Sequence, residues 1–395
     1  MTMQLTEKDA KEINNYSALA SYQYTWIANK FMNCDLDVLA VFFGNQAGKG
    51  ALVVINYIYR ILGMHPIPVK NVLYYQCENA IKYDEAERKD VDNLDEMERG
   101  HYYSPKNITD MNFGCNPHTV LHSDKYICPE CNTQLTPHIR QGAHRVIRFA
   151  SQTMPGSEAT TKGKGSRDQN TGETKNTQFI ELMKWMPQHL LREKKISVRD
   201  ATLRVIDPFP TGMDIIIEFV SFNQVTQSSA GVQRMSSWLD ELPSKEFFDE
   251  QVPRMLAVDN SDIILSYTVT KEVGYLFDLI WNRARWIYRS KSIVKFFKED
   301  RNEMVPMVEE TDSEFYNIGI FHGSTYDNPT LKPKRVREMM KLLHDDCGDN
   351  EDVMNMRLFC LFKEISAFIF PSFNMRTHVI DPSKYFSPEG EVILN

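Results

Sequence analysis

Apolar and aromatic side chains recur at helical spacing over 8–33 (Ile13, Tyr16, Leu19, Tyr22, Trp26, Phe31), which predicts an amphipathic helix. DLDVLAVFF follows, a short run rich in β-branched and aromatic residues that predicts a buried strand. KGALVVINYIYRILG is apolar on a broad face and stops at Gly63 with Pro66 beyond, as a buried helix does. Only GNQAG separates that strand from that helix. HRVIRFASQT alternates like a second core strand, and QFIELMKWMPQHLL predicts a helix as far as its proline. DIIIEFVSF, MSSWLDE and DIILSYTVT predict three more strands, and EVGYLFDLIWNRARWIYRS a long amphipathic helix. Strands alternating with helices imply an α/β fold with a mainly parallel sheet and helices on both faces.

The pattern breaks between 79 and 176. DEAERKDVDNLDEMERG is densely charged, a cysteine cluster follows, and GSEATTKGKGSRDQNTGETKN lacks large apolar residues and predicts a loop. The expected organisation is an N-terminal helix and the first part of the core over 1–78, an insertion over 79–176 that includes one core strand, the rest of the core over 177–330, and a lid or linker over 331–395.

Composition narrows the functional classes. A chain of 395 residues, 42% of them hydrophobic, can bury a large core. No apolar run approaches the roughly 18 residues that span a bilayer, and MTMQLTEKDAKEINN has no basic and apolar signal regions, so an intracellular protein is expected. The net charge of −8 argues against a wholly basic, polyanion-binding surface but permits a local basic groove. Arg283, Arg285, Arg289, Lys291, Lys295 and Lys298 among aromatics, and KPKRVREMMK further on, are candidates for tracking phosphates or are solvated faces.

The seven cysteines cluster only between 115 and 131, which favours metal over a disulfide framework. Cys115-x-x-His118 and Cys128-x-x-Cys131 form paired knuckles whose four ligands suit a tetrahedral, structural zinc. His122 and His138 compete with His118 for the fourth position. A small zinc-ribbon-like insertion is the expectation.

VFFGNQAGKG has the setting of a phosphate loop of the pattern G-x-x-x-x-G-K-S/T, in which backbone N–H groups cradle phosphates, lysine reaches the outer ones and a hydroxyl holds magnesium. Gly48 and Lys49 fit; the opening glycine is displaced by one to Gly44, and Gly50 stands where the hydroxyl belongs. MSSWLDELP leads an apolar run into Asp240 and Glu241, an acidic pair suited to metal binding and water activation, although many strands end in a solvated acidic turn. DIILSYTVT ends in Ser266, Tyr267 and Thr268, hydroxyls placed to sense a phosphate.

In this order the segments resemble the large terminase subunits of tailed bacteriophages, ATP-driven motors that package double-stranded DNA. GNQAGKGALVVINYIYRILGMHP is similar to that family's phosphate loop and helix, IEFVSFNQVTQSSAGVQRMSSWLDELP to its acidic-pair region, IILSYTVT to its coupling motif, and TYDNPTL to its closing segment. The resemblance implies an ASCE/RecA-like phosphate-loop fold that binds ATP and Mg2+. Gly44, Asn45, Gln46, Ala47, Gly48 and Gly50 would line the loop, Lys49 contact the outer phosphates, Asp240 hold magnesium, Glu241 be the catalytic carboxylate, Thr268 couple hydrolysis to movement, and Gln23 read adenine. Ala230 stands where related motors often have an arginine finger, leaving Arg234 and Arg254 as candidates. The implied partners are duplex DNA, the portal and prohead, the small terminase subunit and further copies in a ring, in the host cytoplasm and with no membrane. The family's nuclease domain would begin after THVIDP, so this chain is expected to lack cutting activity. The missing hydroxyl at Gly50 keeps a second class open, a nucleotide-binding or architectural module without hydrolysis.

Overall fold

In the computed structural model the strand read from DLDVLAVFF is Val38–Phe43 (β1), and its alternation decides what each face of the sheet becomes. Leu39, Val41 and Phe43 enter one buried cluster and Ala40 and Phe42 the other. The structure describes residues 25–77, 102–103, 127–128, 132–151, 177–192, 201–209, 213–222, 233–256, 258–269, 274–297, 307–311, 317–347 and 351–361.

Around β1 the described elements are helix α1 (Trp26–Met32), helix α2 (Lys49–Ile61), β2 (Leu73–Cys77), β3 (Tyr102–Tyr103), β4 (Leu135–Ile139) and β5 (Val146–Ser151). Then come α3 (Thr177–Trp185), β6 (Thr202–Val205), β7 (Ile215–Ser221), β8 (Ser236–Asp240), α4 (Lys245–Leu256) and β9 (Asp262–Tyr267). The chain continues through β10 (Trp286–Arg289), α5 (Lys291–Phe297), β11 (Met307–Glu310), β12 (Ile318–Gly323), α6 (Pro333–Cys347) and α7 (Glu351–Phe359). One nine-stranded sheet runs in the order β11-β10-β12-β1-β9-β8-β5-β7-β6. Its seven inner strands are parallel, and β11 and β6 close the edges antiparallel. β2, β3 and β4 form a separate antiparallel sheet.

Helices lie on both faces, as the sequence predicts. α1, α2 and α3 share the first cluster; α4 and α7 contribute Phe247, Phe248 and Met356 to the second. Every residue of α2 from Ala51 to Ile61 is buried, each large apolar one contributing about 1.5–3 kcal/mol.

One sequence expectation is corrected. The long helix read from EVGYLFDLIWNRARWIYRS is a short helical piece, Gly274–Leu276 and a π turn at Phe277–Trp281, followed by β10. WIYR is an aromatic and β-branched run that gains a ladder on both sides, parallel to β12 and antiparallel to β11, which outweighs its helical periodicity. The helix read over 8–33 is helical where described, over Trp26–Met32.

Beneath the sheet a buried ion cluster fixes the lower end of α2. Arg60 donates a forked pair of hydrogen bonds to Asp262, at 2.8 and 2.7 Å, and Lys70 lies 3.4 Å from the same carboxylate. Ser236 Oγ adds a 2.5 Å bond to it and itself meets Tyr57 Oη at 2.8 Å. Burial alone would raise the Asp262 pKa, but Arg60 and Lys70, with the hydrogen bonds from Arg60 and Ser236, hold it well below the ordinary carboxylate range. Its stabilising effect is therefore full above the unfolded value of 3.8 and is lost as pH falls toward the depressed native value. Asp262→Asn leaves the buried Arg60 without its counter-charge and Lys70 with Asp35 alone, at 3.7 Å, and is expected to cost about 3–5 kcal/mol in urea unfolding at pH 7 and to flatten the acid limb of stability against pH.

Candidate nucleotide-phosphate site

The site forms at the carboxyl ends of the parallel strands, where β1 turns through Gly44–Gly48 into α2. Two residues of that turn are left-handed, Gln46 at φ +55° and Gly48 at φ +88°, and Gly48 caps the helix without a side-chain bond. The first-turn N–H groups of α2 have no intrahelical partner, so a 13-residue helix points open donors and its positive end at this turn.

Residues far along the chain hold the turn in place. Gly44 N donates to Gly323 O at 3.1 Å, Asn45 N to Arg357 O at 2.7 Å, and Ala47 N to Gly44 O at 3.2 Å. Thr325 Oγ1 donates to Asn45 O and Asn328 Nδ2 to Gln46 O, both at 2.7 Å. The N–H groups of Asn45 and Ala47, read from sequence as cradle donors, are thus committed to protein carbonyls. Gly44 is required by its neighbours, since a Cβ there would sit 2.0 Å from Leu358 O.

Lys49, Glu241 and Thr268 converge. Lys49 Nζ donates to Thr268 Oγ1 at 2.8 Å and lies 3.5 Å from Glu241 Oε1. Thr268 Oγ1 donates in turn to Phe43 O at 2.8 Å, which ties the end of β9 to the end of β1. Asp240 is buried; Ser266 Oγ donates to its Oδ1 at 2.6 Å and accepts from Trp238 Nε1 at 2.7 Å. Glu241 stands at φ +68°, held by a 2.8 Å bond from its N–H to Ser266 O. A left-handed glutamate is strained, and such strain persists where surrounding structure over-determines it. Desolvation raises the Glu241 carboxyl above its ordinary value; Lys49 opposes this and Asp240 adds to it.

Of the three hydroxyls read as phosphate sensors, only Thr268 meets Lys49. Ser266 is turned onto Asp240, and Tyr267 falls on the opposite face, edge-on to Phe42. β9 lies in the middle of the sheet, so these hydroxyls stand at a strand end and not at a sheet edge.

Arg234, one of the two finger candidates, is buried and donates through Nε to Glu218 at 2.8 Å, beside Arg148 on the same carboxylate. Arg254 lies on α4, and its side chain is outside the described residues, as are Gln23, Ala230 and Lys298. Arg285, Lys291 and Lys295 are exposed, while Arg289 pairs with Glu309. Cys115, His118, His122 and Cys131 are also outside the described residues. Cys128 is buried with its Sγ 3.2 Å from Tyr103 Oη, and the His138 ring stacks on Tyr74. No described helix is long and apolar enough to cross a membrane.

Within TYDNPTL, Thr325 and Asn328 are the residues that hold the turn. α7 acts on the turn through the main-chain carbonyls of Arg357 and Leu358, which have no side-chain signature in the sequence.

Fold and site together define a mostly parallel α/β domain with an anion-ready helix N-terminus facing an acidic pair. No protein-family model matches the chain, and no curated protein matches it. Among solved structures the chain is similar to the large terminase ATPase domain of Thermus phage P74-26, at 10% identity and a TM-score of 0.42 over 92% of this chain and 100% of that one. It is also similar to the large terminase of a thermophilic bacteriophage in complex with ADP, at 10% identity and a TM-score of 0.40 over 86% of this chain and 54% of that one.

Two glycines of the turn should separate cleanly. Gly44→Ala forces the turn away from α7 and is expected to cost about 1–3 kcal/mol. A Cβ at Gly50 meets its nearest atoms at 3.8 and 4.0 Å, so Gly50→Ala is expected to gain about 0.5–1 kcal/mol from helix propensity. Thermal melts of the two variants check both.

Proposed function

We propose that this chain hydrolyses ATP at the β1–α2 turn and that hydrolysis drives movement of duplex DNA. The observation that carries hydrolysis is the meeting of Lys49, Thr268 and Glu241 at the open N-terminus of α2, with the buried Asp240 one residue away. DNA translocation rests on the order of the sequence motifs that resemble large terminases.

In this reading the first-turn N–H groups of α2 bind phosphate oxygens and Lys49 leaves Glu241 to contact the outer phosphate. Glu241 then accepts the proton of an attacking water, and its raised pKa suits that transfer. Thr268, bonded to both Lys49 and Phe43 O, registers the displacement of the lysine and passes it into β1 and β9. Bound magnesium would neutralise phosphate charge beside Asp240, whose carboxylate, hydrogen-bonded by Ser266, is a fitting hard ligand.

Steady-state hydrolysis with and without DNA tests this reading. Lys49→Ala is expected to abolish nucleotide binding; Glu241→Gln should keep it while lowering kcat by about 100-fold or more. A general base works only when deprotonated, so kcat/KM in the wild type, which reports the free enzyme, is expected to rise with pH through a value above the usual carboxylate range. Hydrolysis indifferent to both substitutions would leave the architectural module as the better reading.

Zinc remains part of the proposal. Cys128 N donates to Thr133 O at 2.8 Å, Asn132 N donates to Cys128 O at 2.9 Å, and Asn132 is left-handed at φ +57°, so Asn132 and Thr133 bond back to the Cys128 main chain as residues closing a tight knuckle would. Elemental analysis should find about one zinc per chain, lost in Cys128→Ser.

A further inference from the structure

Position 50 is the second residue of α2, where a phosphate-loop helix ordinarily offers a hydroxyl to a metal ion, and here it offers no side chain. Two side chains come within 4 Å of the point where a Cβ would stand: Trp238 at 4.0 Å and Glu181, whose Cγ lies 3.8 Å away. Trp238 is occupied, because its Nε1 donates to Ser266, which in turn holds Asp240. Asp240 therefore has its hydroxyl partner already, and what position 50 lacks is an oxygen for the metal.

Glu181 supplies one. It sits on α3, packed beside α2, and Trp185 Nε1 donates to its Oε2 at 2.8 Å. Lys184 Nζ lies 3.8 Å from the same Oε2, no protein donor among the described residues meets Oε1, and the side chain is 29% exposed, so the carboxylate is reachable from solvent. A second observation points to the same place. Gln178, one turn earlier on the same face of α3, is fully buried; its Nε2 donates to Ala150 O and Trp238 O at the ends of β5 and β8, and its Oε1 has no partner. α3 thus brings the Glu181 side chain to 3.8 Å from the bare position at Gly50, and one turn earlier holds an unmet carboxamide oxygen at the ends of β5 and β8.

We infer that Glu181 is a ligand, directly or through water, for the divalent cation of a bound nucleoside triphosphate, replacing the hydroxyl absent at Gly50. The inference rests on the phosphate-site reading above. Its chemistry suits magnesium, which takes one or two protein carboxylates together with substrate phosphates and retained waters. A side chain on a neighbouring helix would do what the helix of the turn itself cannot.

Binding of a non-hydrolysable fluorescent ATP analogue to the full chain, in EDTA and across a Mg2+ titration, tests this without relying on turnover. In Glu181→Gln the half-saturating Mg2+ concentration is expected to rise at least about tenfold while affinity in EDTA stays at the wild-type level. Gly50→Ser added to Glu181→Gln should bring the Mg2+ requirement back toward wild type. Trp185→Phe, which keeps the carboxylate and removes only its donor, should titrate as wild type. An unchanged Mg2+ requirement in Glu181→Gln overturns the inference, and so does a rise of the same size in Trp185→Phe, which would mark Glu181 as structural. Absence of nucleotide binding by the wild type, or equal binding by Lys49→Ala, overturns the phosphate-site reading itself, whatever Glu181 does.

Discussion

Everything at the candidate site depends on α2 being fixed at both ends. Its lower end is locked by the Arg60 fork on Asp262, and its tip by Lys49 on Thr268. Thirteen helical residues span about 20 Å, a stiff rod running from the floor of the sheet to the β1–α2 turn. Burying an ionic cluster is costly, and apolar packing could stabilise the floor as well. A planar fork on a carboxylate does something apolar packing does not: it sets the rotation of the helix about its axis. That rotation decides where Lys49 and the bare side at Gly50 face.

The two acids at the end of β8 show how one strand ending yields two chemistries. Asp240 points into the sheet's face, buried and hydrogen-bonded by Ser266. Glu241 is turned the other way by a left-handed backbone, keeps 42% of its side chain exposed and is pushed toward holding its proton. Different surroundings separate the two carboxylates, and the proposed hydrolysis uses that separation, Asp240 to hold a cation and Glu241 to accept a proton. The residue that separates them is Ser266, which accepts the Glu241 N–H with its carbonyl and serves Asp240 with its hydroxyl.

Local pattern carried much of this fold. β1, α2, β5, α3, β7, β8 and β9 follow directly from hydrophobic periodicity and stop signals, and the placing of Lys49, Asp240, Glu241 and Thr268 follows from strand ends in a parallel sheet. The exceptions share a cause. β10 reads as helix because its decision is made by β11 and β12, partners remote in sequence. Arg234 reads as a surface cation, yet it is buried against Glu218 of β7, a partner that no local pattern names. Thr325, Asn328 and α7 were invisible as site residues because they act on main-chain atoms, and Glu181 because only the packing of α3 on α2 gives it a destination.

The bonds that shape the turn have a consequence in time. Gly44 through Gln46 are held by Gly323, Thr325, Asn328 and Arg357, residues made some 280 or more positions later. β1 also lacks one of its two neighbours until β12 exists. During synthesis, then, the segment with the most recognisable letters emerges early and must wait as an exposed apolar strand and an unformed turn until nearly the last described helix leaves the ribosome. The turn reaches its observed shape all at once and late, so a partly made chain carries α2 without the formed turn at its head.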